Sequence, residues 1–235
     1  LDVGAVIRRV FDIYVDQAPV LLPAAAVVFV FSGILSGILR AASPGLALLA
    51  VLISLLATTL FTGMIVELVA DIQDGRRDAT VGGLLRAVAP VLGQLILVGL
   101  VVGVGVVIGL ILVIVPGLIL LTVWSVAAPV VVLERPGGLK ALGRSRELVR
   151  GSGWRVFGVI LVLDILVVIV ASLLEVAAGS AGTGAAIVVT VIVGVLAAPL
   201  SALAAAVLYF ELRGAPVVSP PSDGLAGGAG PAPSL

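Results

Sequence analysis

An aspartate inside a long apolar segment is the residue of this chain best placed to do chemistry. Asp164 is the only charged residue between Arg155 and Glu175. It follows Trp154 by ten residues, which in a helix places it roughly 15 Å along the axis. A carboxyl group near the middle of a bilayer costs about 2.5–3.5 kcal/mol on insertion scales, so it should face protein and be paired or protonated. Asp164 is therefore a candidate intramembrane polar site.

Two interpretations of Asp164 follow from its type and depth. As a functional group, it would hold a proton or a substrate in a transporter. As a structural group, it would form hydrogen bonds between helices, and the hydroxyls available to it are those of Thr58, Thr59, Thr62 and Ser125. Transporters usually contain several buried charges or a helix broken in mid-span, and no unwound polar stretch flanks Pro129 or Pro199. That comparison favours the structural interpretation without excluding the other.

Most enzyme classes lack their usual residues here. The chain has no cysteine and no histidine, which removes thiolate nucleophiles, the commonest general base and the commonest transition-metal ligand. Asp71, Asp74 and Asp78 do not have the spacing of a calcium loop. An intramembrane hydrolase would need a paired nucleophile and base, and none is evident. We expect no catalytic residue, no metal and no cofactor.

The elements that position Asp164 must be membrane helices. Residues 91–133 contain no Asp, Glu, Lys or Arg, and as one helix they would reach roughly 65 Å, twice the ~30 Å hydrocarbon core. This segment must fold back, and Pro116-Gly117 is the obvious place. Apolar residues make up 61% of the chain and charged residues 11%, too few to cover a soluble domain, which usually has about 25%.

Six segments are long and apolar enough to cross a bilayer. They are residues 19–39, 46–70, 91–115, 117–133, 154–178 and 185–208. Of the 13 basic residues, only Arg40 lies on one side of the resulting arrangement. Because positive loops stay in the cytoplasm, both termini are predicted there. Arginine outnumbers lysine 12 to 1 and Ala, Val and Gly are abundant, a composition typical of GC-rich bacteria, so the predicted location is a bacterial plasma membrane.

Short basic segments precede each pair of spans. Residues 3–10 align with 81–88, and residues 139–144 form a looser third copy. The sequence therefore predicts an all-α, polytopic helical bundle of six transmembrane helices, arranged as three hairpins. Each hairpin would follow a short cytoplasmic helix lying in the headgroup layer with its apolar face down. The predicted domain covers 1–213, with repeats at about 3–70, 81–134 and 139–213, and 214–235 is a predicted disordered tail.

Two groups of residues could contact partners within or at the membrane. Basic side chains near the surface attract anionic phospholipid by about 1 kcal/mol each, and the candidates are Arg144, Arg146, Arg150 and Arg155. Small residues allow helices to approach closely, and the candidates are Gly99, Gly103, Gly105 and Gly109. The glycines would pack helices within one chain or, alternatively, form a homo-oligomer. The charges of the 13 basic and 13 acidic residues cancel, and the sequence has no basic stripe of the kind that binds nucleic acid.

Several segments together resemble a known family. The segment most characteristic of it contains Arg144-Ser145 and runs to Gly158. The others are 67–71, 75–77, 116–117, 128–134 and 209–213. The chain resembles the membrane domain of bacterial glycerophosphoryl diester phosphodiesterases and related uncharacterised six-span membrane proteins. The catalytic barrel of that family uses histidines, so the resemblance implies a membrane module connected with lipid and carries no catalysis to this chain.

These observations lead to two functional hypotheses. The first is a non-catalytic membrane protein that acts as a scaffold or accessory module and contacts anionic lipid at the cytoplasmic leaflet. The alternative is a small transporter or lipid-handling permease that uses Asp164. The lipid bilayer is the one partner common to both, and a further membrane-protein partner has no signature in the sequence.

Overall fold

A computed structural model of the chain describes residues 2–75, 80–179 and 183–214. This part of the chain contains helices and no strand, which confirms the predicted all-α bundle. Its α-helices are α1 (Val3–Asp16), α2 (Ala18–Ala42), α3 (Ala47–Gln73), α4 (Val81–Val88), α5 (Leu92–Leu112), α6 (Ile114–Val123), α7 (Ala127–Pro129), α8 (Lys140–Val149), α9 (Gly153–Gly179) and α10 (Thr183–Leu212). The predicted disordered tail lies outside the described residues, except for Gly214.

Six stretches of the described chain are long and apolar enough to cross a membrane. They are Ala18–Leu39, Leu49–Gln73, Val81–Leu112, Ile114–Glu134, Gly153–Leu174 and Val191–Leu212. The protein is a multi-pass membrane protein by this criterion, and the spans agree with those expected from hydropathy to within several residues. The third span is longer than expected because α4 continues into α5 through the 3₁₀ turn Ala89–Val91.

The long helices pair in chain order. The most extensive contacts between helices are those within α2–α3, α5–α6 and α9–α10. One short helix precedes each pair: α1, α4 and α8. The order of elements is the one that three repeats would produce, and the repeats themselves remain a prediction.

The three short helices are packed into the protein. Val6, Val10 and Ile13 of α1 are buried, and α1 contacts α9 and α10. Leu84 and Val88 of α4 are buried, and α4 lies on α3. Their apolar faces are therefore covered by neighbouring helices, whereas the sequence predicted that these faces would point into the headgroup layer. Burial against protein removes the same apolar surface from water.

The core of the bundle is concentrated at one end. Buried side chains come from the second half of α3, the first third of α9 and the last third of α10, together with α1, α4 and α8. We call this the basic end, because the arginines of these segments lie there. The opposite ends of α2, α5, α6 and α9 expose Val, Leu and Ile. Lipid is the solvent that such a surface requires, since soluble proteins rarely expose large apolar patches.

The fourth span is interrupted near its middle. Helix α6 ends at Val123, a turn covers residues 124–126, and the chain re-enters helix at α7 and continues as the π-helix Val130–Glu134. Pro129 has no amide hydrogen to donate to the carbonyl of Ser125, four residues earlier, so one helical hydrogen bond is missing at this point. The sequence showed no unwound stretch here, and the structure corrects that reading.

Candidate functional site

Glu134 links three elements at the basic end. Its Oε2 accepts a hydrogen bond at 2.9 Å from Nε of Arg144 in α8, and its Oε1 accepts one at 3.0 Å from the hydroxyl of Tyr209 in α10. Glu134 ends the π-helix of the fourth span, so these two bonds connect that span to α8 and to α10. The Tyr209 side chain is fully buried, which places this contact inside the protein.

Arg144 is held by two carboxylates of the protein. Besides Glu134, its Nη1 contacts Oε2 of Glu147 at 3.3 Å, one turn further along α8. The hydrogen bonds to Glu134 and Glu147 raise the pKa of Arg144 above its ordinary value, because both carboxylates favour the charged guanidinium. Arg144 therefore differs from the other three predicted lipid contacts, because its guanidinium is already paired with carboxylates of the protein.

Further polar contacts fasten the end of α10. Nη1 of Arg213 donates to the Tyr209 hydroxyl at 2.9 Å, and its guanidinium lies 5.5 Å from the centre of the Tyr209 ring. Arg9 of α1 forms an ion pair with Glu211 at 2.8 Å. Helix α1 is therefore attached directly to the C-terminal end of α10, and α8 is attached to it through Glu134. Both connections are charged hydrogen bonds, which are stronger than neutral ones.

An exposed basic surface lies between α8 and α9. Arg146, Arg150 and Arg155 are exposed, and no hydrogen bond or ion pair joins their side chains to other described residues. Trp154, at the start of α9, is 87% exposed. Tryptophan is enriched at membrane interfaces, where its ring sits at the level of the headgroups. We call these four residues the α8–α9 surface.

Asp164 borders a cavity between the spans. The cavity has a volume of about 360 Å³ and is mostly apolar. Asp164 is itself exposed in the bundle, so it stands at the edge where the cavity opens. The polar residues of its wall are Thr58, Thr59, Thr62, Ser125, Asp164 and Ser201. The four hydroxyl residues that the sequence proposed as hydrogen-bond partners of Asp164 therefore line the same cavity, but none of them bonds to it in the described part of the chain.

Two hydroxyls of this wall, those of Thr58 and Thr62, are arranged as acceptors. Thr58 donates its hydrogen to the carbonyl of Ser54 at 2.9 Å, and Thr62 donates to the carbonyl of Thr58 at 2.9 Å. Each hydroxyl oxygen keeps lone pairs for a donor from outside. Ser125, in the interruption of the fourth span, has a buried Oγ with no partner in the described residues. The wall thus combines one carboxyl group with hydroxyl oxygens that can accept.

A second cavity shares part of its wall with the first. Its volume is about 330 Å³, and its wall includes Phe29, Phe61 and Ala198. Thr58, Thr62 and Ser201 line both cavities. These three hydroxyl residues, from α3 and α10, form a wall shared by the two cavities, which we call the hydroxyl strip.

The predicted packing glycines occupy different environments. A Cβ on Gly109 would lie 2.8 Å from Cα of Gly117, so α5 and α6 approach closely there. A Cβ on Gly105 would lie 2.6 Å from the Trp124 ring, and one on Gly99 would lie 3.0 Å from Oγ1 of Thr59. Gly103 differs: nothing lies within 4 Å of its Cβ position, and it borders the Asp164 cavity instead of packing.

The comparison with protein families matches more than half of the chain. The matching family is described as a domain of unknown function, DUF8558, and the match covers residues 78–212. The chain belongs to this family. No curated protein and no solved structure matches it. The matched region includes α4 to α10, and therefore Glu134, Arg144, Asp164 and Tyr209. The family description has no link to phosphodiesterase membrane domains, so that resemblance remains a prediction.

Sequence reasoning did not single out Glu134 and Tyr209 as site residues. Both stand in segments that carried the family resemblance, one at the end of the fourth span and one at the end of the sixth. A polar residue at the end of an apolar run indicates by itself only that the membrane span ends there and that the side chain contacts water. Their partnership depends on the third dimension, since 75 residues separate them in the chain.

Proposed function

We propose that this protein is a non-catalytic membrane module whose basic end binds anionic lipid of the cytoplasmic leaflet. The observation that supports this most directly is the α8–α9 surface. Three guanidinium groups there have no acidic partner in the described residues, and an exposed tryptophan lies beside them. Guanidinium groups bind phosphate oxygens in bidentate fashion, and the indole ring suits the headgroup layer.

The expected strength follows from the number of free arginines. At about 1 kcal/mol for each basic side chain near an anionic surface, three contribute about 3 kcal/mol, or roughly a 100-fold preference for anionic over zwitterionic lipid. Salt should weaken this preference, because exposed charges are screened within about 10 Å at 0.1 M ionic strength.

Lipid binding is tested in nanodiscs that contain phosphatidylcholine and a minority of phosphatidylglycerol. Native mass spectrometry then measures the anionic lipids retained by the protein. A triple substitution, R146Q/R150Q/R155Q, should lose most of the retained phosphatidylglycerol. The matched control is R8Q/R86Q, which removes two exposed arginines from α1 and α4 at the same end. Equal retention by the triple variant and the control would contradict the proposed surface.

The proposal also places the basic end in the cytoplasm of a bacterial cell. The chain has no cysteine, so single cysteines can be introduced without background. We expect S43C, at the opposite end, to react with a membrane-impermeant thiol reagent on intact cells. L139C, next to α8 and exposed, should react only after the cells are opened. The reverse pattern would invert the proposed orientation.

The absence of catalysis is part of the same proposal. It rests on the missing histidine and cysteine and on the lack of a cluster of three acidic, histidine or cysteine residues among those described. The resemblance to phosphodiesterase membrane domains would then concern membrane architecture alone. Purified protein reconstituted in vesicles should not hydrolyse a glycerophosphodiester or a phospholipid. Turnover that survives inactivation and mock-purification controls would overturn this part.

A second function is favoured by the cavity at Asp164 and by the second cavity, which shares three hydroxyl residues with it. We propose as the alternative a small transporter or lipid-handling permease, in which the hydroxyl strip between the cavities lies on the route of a substrate. Transport proteins typically form their substrate sites at interrupted helices near the middle of the membrane. D164N should abolish the movement of a fluorescent lipid analogue across reconstituted vesicles, while S172A, on the same helix but outside the cavity wall, should leave it unchanged. Unchanged movement in D164N would contradict this function.

A further inference from the structure

We infer that the Asp164 cavity is a binding site for an amphiphile whose head is a primary ammonium group. The inference deepens the second proposal, and it rests on that proposal in one respect: Asp164 is taken as a functional group. It concerns binding, so it can be tested separately from transport.

Charge is the first reason for an ammonium head. Among the described residues that line the cavity, Asp164 is the only ionisable one, so none of them supplies a cation to balance it. An isolated carboxylate in a low-dielectric site is costly, and an ammonium ion from the ligand would convert it into a neutral pair. A purely anionic head would add a second negative charge in the same place.

Hydrogen bonding is the second reason. The hydroxyls of Thr58 and Thr62 already donate to carbonyls of α3, so they offer only oxygen lone pairs to the cavity. A primary ammonium group has three N–H donors and no acceptor, which matches these two hydroxyl oxygens and the carboxylate of Asp164. The Oγ of Ser125 has no partner among the described residues, so it can accept a further N–H, although its own hydrogen is also uncommitted. A trimethylammonium head carries the charge but has no N–H to donate.

Size and access define the rest of the ligand. A volume of about 360 Å³ is at the lower end of the ~300–1,000 Å³ range of ligand pockets. It holds a head and part of a chain, and the remaining chain can leave past the exposed edge at Asp164. The apolar side chains that make up most of the wall suit methylene groups. Two sources share this chemistry: a free long-chain amine and the headgroup of an aminophospholipid.

The chain contains its own reporter for this site. Trp124 lines the cavity, and Trp154, at the interface, is the other of the two tryptophans. A W154F variant leaves Trp124 as the single fluorophore. In nanodiscs of phosphatidylcholine, ω-bromoundecylamine should quench Trp124 at concentrations at least tenfold lower than ω-bromoundecanol, because the alcohol lacks the charge and two of the donors. The trimethylammonium analogue should fall between the two.

Substitutions assign the effect to the site. D164N in the W154F background should weaken quenching by the amine about tenfold or more and leave quenching by the alcohol unchanged, since a hydrogen bond to a charged group contributes more than one between neutral groups. S125A should weaken quenching by the amine severalfold. S172A serves as the control, because its hydroxyl donates to Val168 on the exposed side of the same helix.

Each result decides the inference. Equal quenching by amine and alcohol, or an amine effect that survives both D164N and S125A, would overturn it. Exchange of phosphatidylcholine for phosphatidylethanolamine separates the sources: displacement of the bromoamine identifies the aminophospholipid, and no displacement identifies the free amine. If amine binding is present while lipid movement is absent in every vesicle assay, the permease function fails and the ligand class stands.

Discussion

The contact between Tyr209 and Glu134 gives the most direct measure of how the basic end is held together. We predict that Y209F destabilises the protein by about 1.5–2 kcal/mol. The substitution keeps the buried ring, its edge-on contact with Phe210 and its position under Arg213, so no cavity forms. What it removes is the hydroxyl that donates to Glu134 at 3.0 Å and accepts from Arg213 at 2.9 Å.

The size of the effect follows from the charge of the partner. Hydrogen bonds to charged groups contribute about 1.5–3 kcal/mol, against about 0.5–1.5 kcal/mol for neutral pairs. The Glu134 side chain remains 20% exposed, so water can replace part of the lost bond and the loss should fall in the lower half of the range. Arg144 continues to neutralise Glu134 in the variant.

The other tyrosine provides the matched control. Tyr14 donates to the carbonyl of Leu196 at 3.1 Å in an exposed setting, so Y14F should cost about 0.5–1 kcal/mol. Both variants are measured by SDS-induced unfolding in mixed micelles, followed by circular dichroism. A double-mutant cycle of Y209F with E134Q should give a coupling of about 1 kcal/mol or more. If Y209F costs no more than Y14F, or if the cycle shows no coupling, the network does not hold the basic end together.

Two further predictions concern close packing and pH. G109A should destabilise the protein by about 1–3 kcal/mol in the same unfolding assay, because the new methyl group meets the backbone of Gly117, whereas G103A should be nearly neutral; equal effects would contradict the packing. Burial raises the pKa of Tyr14 above its ordinary value of 10.0, so in Y209F its ultraviolet titration should have a midpoint above 10.0. The stabilisation gained by burying the neutral phenol of Tyr14 is fully present below pH 10 and is lost as the pH rises through the raised pKa of the folded state. A titration midpoint at or below 10.0 would refute this prediction.

The arrangement of the spans was predictable because it depends on runs of residues along the chain. A helix that crosses hydrocarbon needs about 20 apolar residues in a row, and charged residues must stand outside them. The six spans and their pairing in chain order follow from that requirement, and the short helix before each pair was predicted from the basic segment that recurs there. The faces of α1 and α4 followed as well, since their apolar stripes recur with the helical period. What covers those stripes did not follow, because lipid and a neighbouring helix are equally apolar.

The fourth span shows where local reasoning stops. Pro129 indicates that one backbone hydrogen bond is missing, but a proline can produce either a gentle kink or a full interruption of the helix. Here α6 ends at Val123 and the hydroxyl of Ser125 is left buried without a partner among the described residues. The neighbouring helices decide between these outcomes, because they supply or withhold groups that satisfy the freed backbone.

Composition and order by themselves determined that hydrocarbon surrounds this chain, how often the chain crosses it and which connections carry positive charge, since each of these is a sum over neighbouring residues. They also identified Asp164 as a carboxyl group at a depth in the membrane where a charge is costly. Only the tertiary structure decided that Arg144 belongs to Glu134 while Arg146, Arg150 and Arg155 remain exposed. It also set Asp164 at the edge of a cavity lined by hydroxyls from other spans. The physical reason is that hydrogen bonds and cavities depend on distances of a few ångströms between helices, and no run of residues along one helix contains those distances.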